Sequence, residues 1–455
     1  MTATRTPSVE GGISAARRAA YEVLRRVFEQ GAWADRALPA AARRHGLEGR
    51  DRALAQRLAY GAVQRRGTSD YLIALLADRP TEGLDPHLLA ALRLGLYELL
   101  YAGGTPDHAA VDQAVELAKG HGRPRPGSGL VNAVLRRAAR ERKSLLSGLD
   151  DATPAGAAIA HSVPVWLAEM WWRELGPEAA RAVMAASNEP AETALRMNTL
   201  RAEPGELLAA LRASGIQARS PTRPEPLAPP ESLVVEGALG DATDRIASGE
   251  LVPQSRASAA VVGLLDPRPG ERVLDLCGGP GVKATQIGAR MGDEGRVVSV
   301  EADGARASET RELCERLGAS CVEVVHGDAR ADHGGGYDRV LVDPPCSDLG
   351  TLASRPDARW RKSPEQIGRL AALQAEIVSR GAASLRPGGT LVYSTCTISA
   401  AENEEIAAAV PLDADDLGSR YPQLSSPRDA RFVQTRPDRD ATDGFFIARF
   451  TTAPG

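Results

Sequence analysis

The sequence predicts an α/β protein: a mostly parallel, doubly wound sheet over residues 251–455, preceded by an all-helical domain and a small α/β subdomain. Three observations predict this. From Val252 onward, short apolar runs alternate with helical stretches, which means parallel strands with helices on both faces. From Ile13 to about Arg142, apolar residues recur at three- and four-residue steps, the period of packed helices. Between them, a helical stretch gives way to a short strand and a proline-rich loop, with no internal repeat. A chain of 455 residues has room for two to four domains at ~150 residues each.

Residues 1–12 are expected to form a disordered tail and 13–145 the helical domain. Within it, Leu88, Leu89, Leu92, Leu96, Leu99 and Leu100 share a face, Pro86 starts their helix, and Gly103-Gly104 is placed to stop it. Val111, Ala114, Val115 and Ala118 mark the next helix, and Val131, Val134 and Leu135 another after a loop at 120–129. Residues 146–250 are read as a linker and small α/β subdomain. There Trp166, Leu167, Met170 and Trp171 share a helical face and are read as core, Leu195 to Arg201 as a short strand, and Pro221 to Pro230 as a surface loop. In the last domain the expected strands are Arg272–Leu276, Arg296–Glu301, Cys321–Val325, Arg339–Val342, Thr390–Ser394 and Phe445–Phe450, the last an edge or antiparallel strand.

The net charge of −4 conceals a polarity. Residues 1–150 carry 23 Lys and Arg against 16 Asp and Glu, a net +7, and the remainder is acidic. Arg123, Arg125, Arg136, Arg137 and Arg140 gather at the end of the helical domain, where a basic surface suits a polyanion. No run of about 18 apolar residues suggests a membrane span, and the N-terminus lacks the layout of a secretory signal, so a cytoplasmic protein is expected. Five cysteines without a Cys-x-x-Cys pair argue against a disulfide framework and a zinc site; no metal is expected, and a monomer is.

Asp275-Leu276-Cys277-Gly278-Gly279-Pro280-Gly281-Val282-Lys283 follows the first strand of the last domain and opens a helix. Glycines there admit a ligand close to the backbone. The stretch matches neither the dinucleotide fingerprint nor the P-loop, because Lys283 lies between Val282 and Ala284. S-adenosylmethionine fits better. Its carboxylate would meet the loop, Glu301 at the next strand end would accept from the ribose hydroxyls, and Asp328 after the third would accept from the adenine amino group.

Two further strand ends, Asp343-Pro344-Pro345-Cys346 and Ser394-Thr395-Cys396, each deliver a thiol. A thiolate added to carbon 6 of cytosine makes carbon 5 nucleophilic enough to take a methyl group. A second thiol assists loss of the carbon 5 proton and release, and Asp343 is placed to hold the base edge or, protonated, to serve ring nitrogen 3. An ordinary thiol is a few per cent ionised at neutral pH, so the site must lower that pKa or couple deprotonation to attack. Cys314 and Cys321 are read as packing thiols, and Cys277 as acting through its backbone.

His108-Ala109-Ala110-Val111-Asp112-Gln113-Ala114-Val115-Glu116-Leu117-Ala118 with Leu130-Val131-Asn132-Ala133-Val134-Leu135-Arg136 resembles the NusB-like RNA-binding domain, which is also found fused to bacterial ribosomal-RNA methyltransferases. Pro164-Val165-Trp166-Leu167 and Leu195-Arg196-Met197-Asn198 resemble the small subdomain of the Sun family of RNA cytosine-5 methyltransferases. The paired cysteines, Arg355 to Trp360, Glu402-Asn403-Glu404 and Asp443-Gly444-Phe445-Phe446 resemble that family's Rossmann-like catalytic domain. The resemblance implies that Cys396 is the nucleophile and Cys346 the release cysteine; spacing alone would not say which is which. It implies Asp343 and Lys283 as further catalytic groups, and Cys277, Gly278, Gly279, Pro280, Gly281, Lys283, Glu301, Arg306, Asp328 and Asp343 as the cofactor set. Val282, Ala284, Ser255 and Pro344 depart from its usual motifs. The implied substrate is small-subunit ribosomal RNA. A transfer-RNA methyltransferase and a non-catalytic RNA-binding or antitermination factor are the alternatives.

Overall fold

A computed structural model describes residues 12–120, 126–221, 227–237, 239–240 and 242–453. The expected tail falls outside these residues, apart from Gly12, as do Arg123, Arg125 and the middle of the proline-rich loop. The chain forms two compact units: residues through Glu189 together with Leu352–Arg361, and Pro190–Thr351 together with the chain from Lys362 on.

The first unit is helical. Ser14 caps the helix Ala15–Gln30, and Gly31 ends it in a left-handed conformation. The leucine-rich helix starts with Pro86 behind Asp85, as expected, but its regular part spans Pro86–Tyr97, and Glu98–Ala102 forms a wider π turn before Gly103. That turn carries Glu98 inside, where Arg17 pairs with it. Leu167, Met170 and Trp171 are buried on the helix Val165–Leu175, so that apolar face is core. Arg136, Arg137 and Arg140 are exposed on the helix Ser128–Ser147. The segment Leu352–Arg361 belongs here because Arg359 is fully buried, donating to the carbonyls of Ser162, Ser187 and Leu352 and to Asn188 Oδ1. Trp360 Nε1 donates to Val63 O at 2.8 Å.

The second unit carries two sheets. The smaller is antiparallel, in the order β2-β3-β1-β4, from β1 (Thr193–Met197), β2 (Gln217–Arg219), β3 (Ser232–Glu236) and β4 (Leu251–Pro253). The larger holds β5 (Arg272–Leu276), β6 (Arg296–Glu301), β7 (Val322–His326), β8 (Tyr337–Val342), β9 (Leu385–Thr395), β10 (Asp413–Ala414), β11 (Val433–Gln434) and β12 (Phe446–Thr451). Its order is β10-β12-β9-β8-β5-β6-β7, with β11 also on β12. Strands β5 to β9 pair in parallel. β12 runs antiparallel to β9, as expected, yet it is not the edge, because β10 pairs beyond it. Along β5, β8 and β9, Leu274, Val340, Val342, Leu391 and Tyr393 pack on one face and Val273, Leu341 and Val392 on the other. Both faces are covered, which is why these strands read as continuous apolar runs. The chain winds from β5 to β6 on one side and later to β8 on the other, so the carboxyl ends of β5 and β8 flank the switch point where ligands bind in such sheets.

Candidate active site

β8 and β9 are neighbours, and their carboxyl ends bring the two thiols together: Cys346 Sγ lies 3.3 Å from Cys396 Sγ. Cys346 is buried and Cys396 partly so. Glu402, fully buried, braces the two strand ends, accepting from Ser347 N at 2.8 Å and from Gln374 Nε2 at 3.1 Å, with Ser347 Oγ as a third donor. Ser347 Oγ in turn meets Thr397 Oγ1 at 2.7 Å. Asn403 Nδ2 donates to Thr397 O. Gly350 N donates to Cys396 O at 3.0 Å, and Gly444 N to Gly350 O at 2.8 Å; a Cβ on Gly350 would overlap the Gly444 carbonyl. The Glu402-Asn403 and Asp443-Gly444 motifs thus hold the loops that carry the thiols.

Lys283, one residue into the helix Val282–Arg290 after the glycine loop, reaches Asp343 at the end of β8, with Nζ 2.5 Å from Oδ2. Ser394 Oγ donates to Asp343 Oδ1 at 2.9 Å. Burial opposes the Lys283 charge, but the Asp343 carboxylate outweighs it and holds the ammonium above its usual pKa. Asp343 thus accepts from Lys283 on one oxygen and from Ser394 on the other. The Cys396 thiol is held well above the usual range by its hydrogen bond with Cys346, by burial, and by Asp348 and Asp343.

The glycine loop curls back against β6. The amides of Cys277 and Gly278 both donate to Val300 O and that of Gly281 to Gly278 O, and Pro280 has none, so most of the loop's amides are already committed. A side chain on Gly278 would overlap Ser299 Oγ and one on Gly279 would overlap Glu301 Oε2. Burial pushes the Cys277 thiol far up, and its amide is already committed to Val300 O. Asp275 is buried beneath the loop; Ser299 Oγ donates to its Oδ2 at 3.3 Å, while its Oδ1 meets no donor among the described residues. Burial, then the nearby Asp343, push its carboxyl up to about 7. Glu301 is buried and accepts from Asp303 N. Arg306 is exposed, its amide taken by the capping Asp303. Asp328 is exposed too, held by Arg330, which brings its carboxyl down to about 2. Cys314 is buried, and Cys321 is half-buried with its amide on Asp293. Val282 packs against Val252, Leu313 and Leu317, and Ser255 caps the helix Arg256–Leu265.

Sequence reasoning passed over Asp275, Asp348, Gln374 and Ser394. An acid inside the apolar run Val273 to Leu276 was a signal for the first; the other three become visible only when the strands pair.

A family model described as 16S rRNA methyltransferase RsmB/F matches residues 262–451. A second, the NusB family, matches 14–140, and a third, the ferredoxin-like domain of RsmF/B-like methyltransferases, matches 163–231. The ribosomal RNA small subunit methyltransferase B of Thermus thermophilus is 36% identical over 92% of this chain and 94% of its own. The chain belongs to the RsmB/F methyltransferase family. The enzyme of the same name from Klebsiella pneumoniae is 32% identical over 95% of this chain and 97% of its own. A solved methyltransferase homolog protein from Pyrococcus horikoshii, 26% identical, superposes with a TM-score of 0.57 over 66% of this chain and 98% of its own. As in the RsmB/F family, the β5–β12 sheet is the S-adenosylmethionine-type methyltransferase domain, the β1–β4 sheet the ferredoxin-like subdomain, and the N-terminal helices the NusB domain. No helix of the described residues is long and apolar enough to cross a membrane.

Proposed function

We propose that this protein methylates carbon 5 of a cytosine in small-subunit ribosomal RNA in the cytoplasm, through a covalent adduct on Cys396. The observation that carries the proposal is the pair of sulfurs 3.3 Å apart at adjacent strand ends, beside the Lys283–Asp343 pair. A binding factor has no use for two thiols so placed. The ribosomal substrate rests on the names of the full-length relatives.

The residues present suit S-adenosylmethionine. Asp275 Oδ1, buried without a donor, is suited to a cationic amine or sulfonium, Glu301 to ribose hydroxyls, and the backbone at Gly278 and Gly279 leaves no room for side chains. When bound, the cofactor supplies an electrophilic methyl group. Cys396 attacks carbon 6 of the flipped-out cytosine, which in a loop costs ~3 kcal/mol to unstack. Lys283 and Asp343 serve the base edge, the first as holder of the proton. Cys346 assists loss of the carbon 5 proton, whose electron pair restores the C5=C6 bond as the S–C6 bond breaks and Cys396 leaves.

Purified protein incubated with labelled cofactor and separated RNA pools tests the reading. Label should enter small-subunit ribosomal RNA as 5-methylcytosine; label confined to transfer RNA, or absent from RNA, overturns it. Cys396→Ala should abolish transfer, and Cys346→Ala should accumulate a protein–RNA adduct on a denaturing gel. The adduct with Cys396→Ala instead would reverse the two roles.

A further inference from the structure

The proposed attack leaves one requirement unmet. Cys396 rests as a thiol in surroundings that oppose its ionisation, so something must accept its proton as the sulfur attacks. Two carboxylates lie near. Asp343 has both oxygens committed, Oδ2 to Lys283 and Oδ1 to Ser394. Asp348 is the one that touches the sulfur: Cys396 Sγ donates to its Oδ1 at 3.3 Å. Its other oxygen is anchored by Lys362, whose Nζ lies 3.3 Å from Oδ2 and donates to Cys346 O at 3.2 Å. The backbone adds a second observation. Asp348 sits at φ +59°, a left-handed conformation that non-glycine residues seldom take, two residues beyond Cys346. Gly350 N, two residues further, is bonded to Cys396 O, so the loop is tied to the strand end that carries the thiol. The turn is thus held where it faces the Asp348 carboxylate to Cys396.

We propose that Asp348 is a catalytic residue, the general base that takes the Cys396 proton as the sulfur bonds to the base. The inference rests on the reading of Cys396 as the nucleophile. In the step, the S–H bond breaks and its proton passes to an Asp348 oxygen. The sulfur electron pair forms the S–C6 bond, and the C5=C6 pair moves into the ring toward carbon 5. When the S–C6 bond later breaks, the proton returns to sulfur and Asp348 ends the cycle as it began. Lys362 keeps the carboxylate from turning away, as a positioning residue.

The charged and titratable groups facing Cys396 are Cys346 and Asp348 from the loop after β8, Asp343 at its end, Lys283 from the cofactor-loop helix, and Lys362 behind Asp348. A negative Asp348 makes the thiol harder to ionise yet easier to deprotonate in concert with attack. Removing it therefore has two opposite effects. Asp348→Asn and Asp348→Gly, the substitutions most at ease at positive φ, are placed in the adduct-trapping Cys346→Ala background. Adduct formation with substrate RNA and S-adenosylmethionine is timed from pH 6 to 10, and Cys396 alkylation by iodoacetamide is followed over the same range by peptide mass spectrometry. We expect adduct formation to slow about 100-fold at neutral pH, with the gap closing as the thiol ionises unaided. The alkylation midpoint should fall by about one pH unit. Unchanged adduct rates overturn the assignment of Asp348 while leaving Cys396 as nucleophile. Slow adduct formation with an unmoved or raised midpoint means a displaced loop and also overturns it. No adduct with Cys346→Ala alone overturns the Cys396 reading itself, and the Asp348 proposal with it.

Discussion

Replacing Asp275 by Asn removes a buried carboxyl whose place beneath the glycine loop costs the fold something and should repay it only when cofactor binds. Burial and Asp343 raise its pKa from 3.8 to about 7. Between those values the folded chain holds a proton that the unfolded chain has released, so stability falls as pH rises through this window and stays low above it. At ~1.4 kcal/mol per pH unit, the loss amounts to roughly 4 kcal/mol by pH 8. Burying an asparagine amide in its stead costs ~2 kcal/mol, so the variant should be more stable than wild type by about 2 kcal/mol at pH 8 and less stable by about 1 kcal/mol at pH 4.5. Thermal melts across that range read the difference directly, variant against wild type at matched pH because the wild-type stability itself changes with pH. Calorimetry of S-adenosylmethionine binding in buffers of different ionisation enthalpy adds the functional half. Near pH 6 wild type should release a proton on binding, since a cation beside Asp275 favours its ionised form. Asp275→Asn should release less and bind about tenfold more weakly. A variant that melts lower than wild type by the same margin at pH 4.5 and pH 8 would refute the reasoning.

Lys283→Met should cut kcat by about 100-fold or more with a smaller change in KM for RNA, because Asp343 then loses both its counter-ion and the proton held against it; steady-state kinetics decide. Glu402→Ala strips an acceptor from Ser347 and Gln374 and should destabilise the chain by about 3 kcal/mol, with faster Cys396 alkylation than in wild type as the strand ends part and expose the thiol, read by melting and mass labelling. Gly350→Ala forces a Cβ into the Gly444 carbonyl and should lower Tm and activity together. Arg359→Met leaves three carbonyls and Asn188 without their buried donor and should destabilise the helical unit by about 3 kcal/mol, seen as earlier hydrogen exchange in the helices Pro154–His161 and Pro177–Ala186.

Much of the fold was legible because its signals are local. Apolar runs ending in small and polar residues marked the strands from β5 to β9 within a few residues, and three- and four-residue spacing marked the helices. Boundaries slipped where tertiary contacts chose them. The leucine-rich helix widened at Glu98 to meet Arg17, and β9 began at Leu385 because its early residues pair back toward Tyr337. The last strand took an interior place because the two-residue β10, too short to leave a pattern, paired outside it. Residues Leu352–Arg361, contiguous with the catalytic motifs in sequence, joined the helical unit through Arg359 and Trp360, a choice no periodicity records.

For the site, the sequence by itself determined the chemical inventory: two thiols and a carboxylate at strand ends, a glycine loop before a helix, and a lysine one residue into it. A short motif carries these because each depends on a turn that only nearby residues make. The tertiary structure alone decided which groups touch. Lys283 meets Asp343 from 60 residues away, Cys396 meets Cys346 from 50 and Asp348 from 48. Those distances follow from the pairing of β8 beside β9 and of β5 beside β8. Register between strands is set by packing across the whole sheet and leaves no trace in the residues of either strand taken alone.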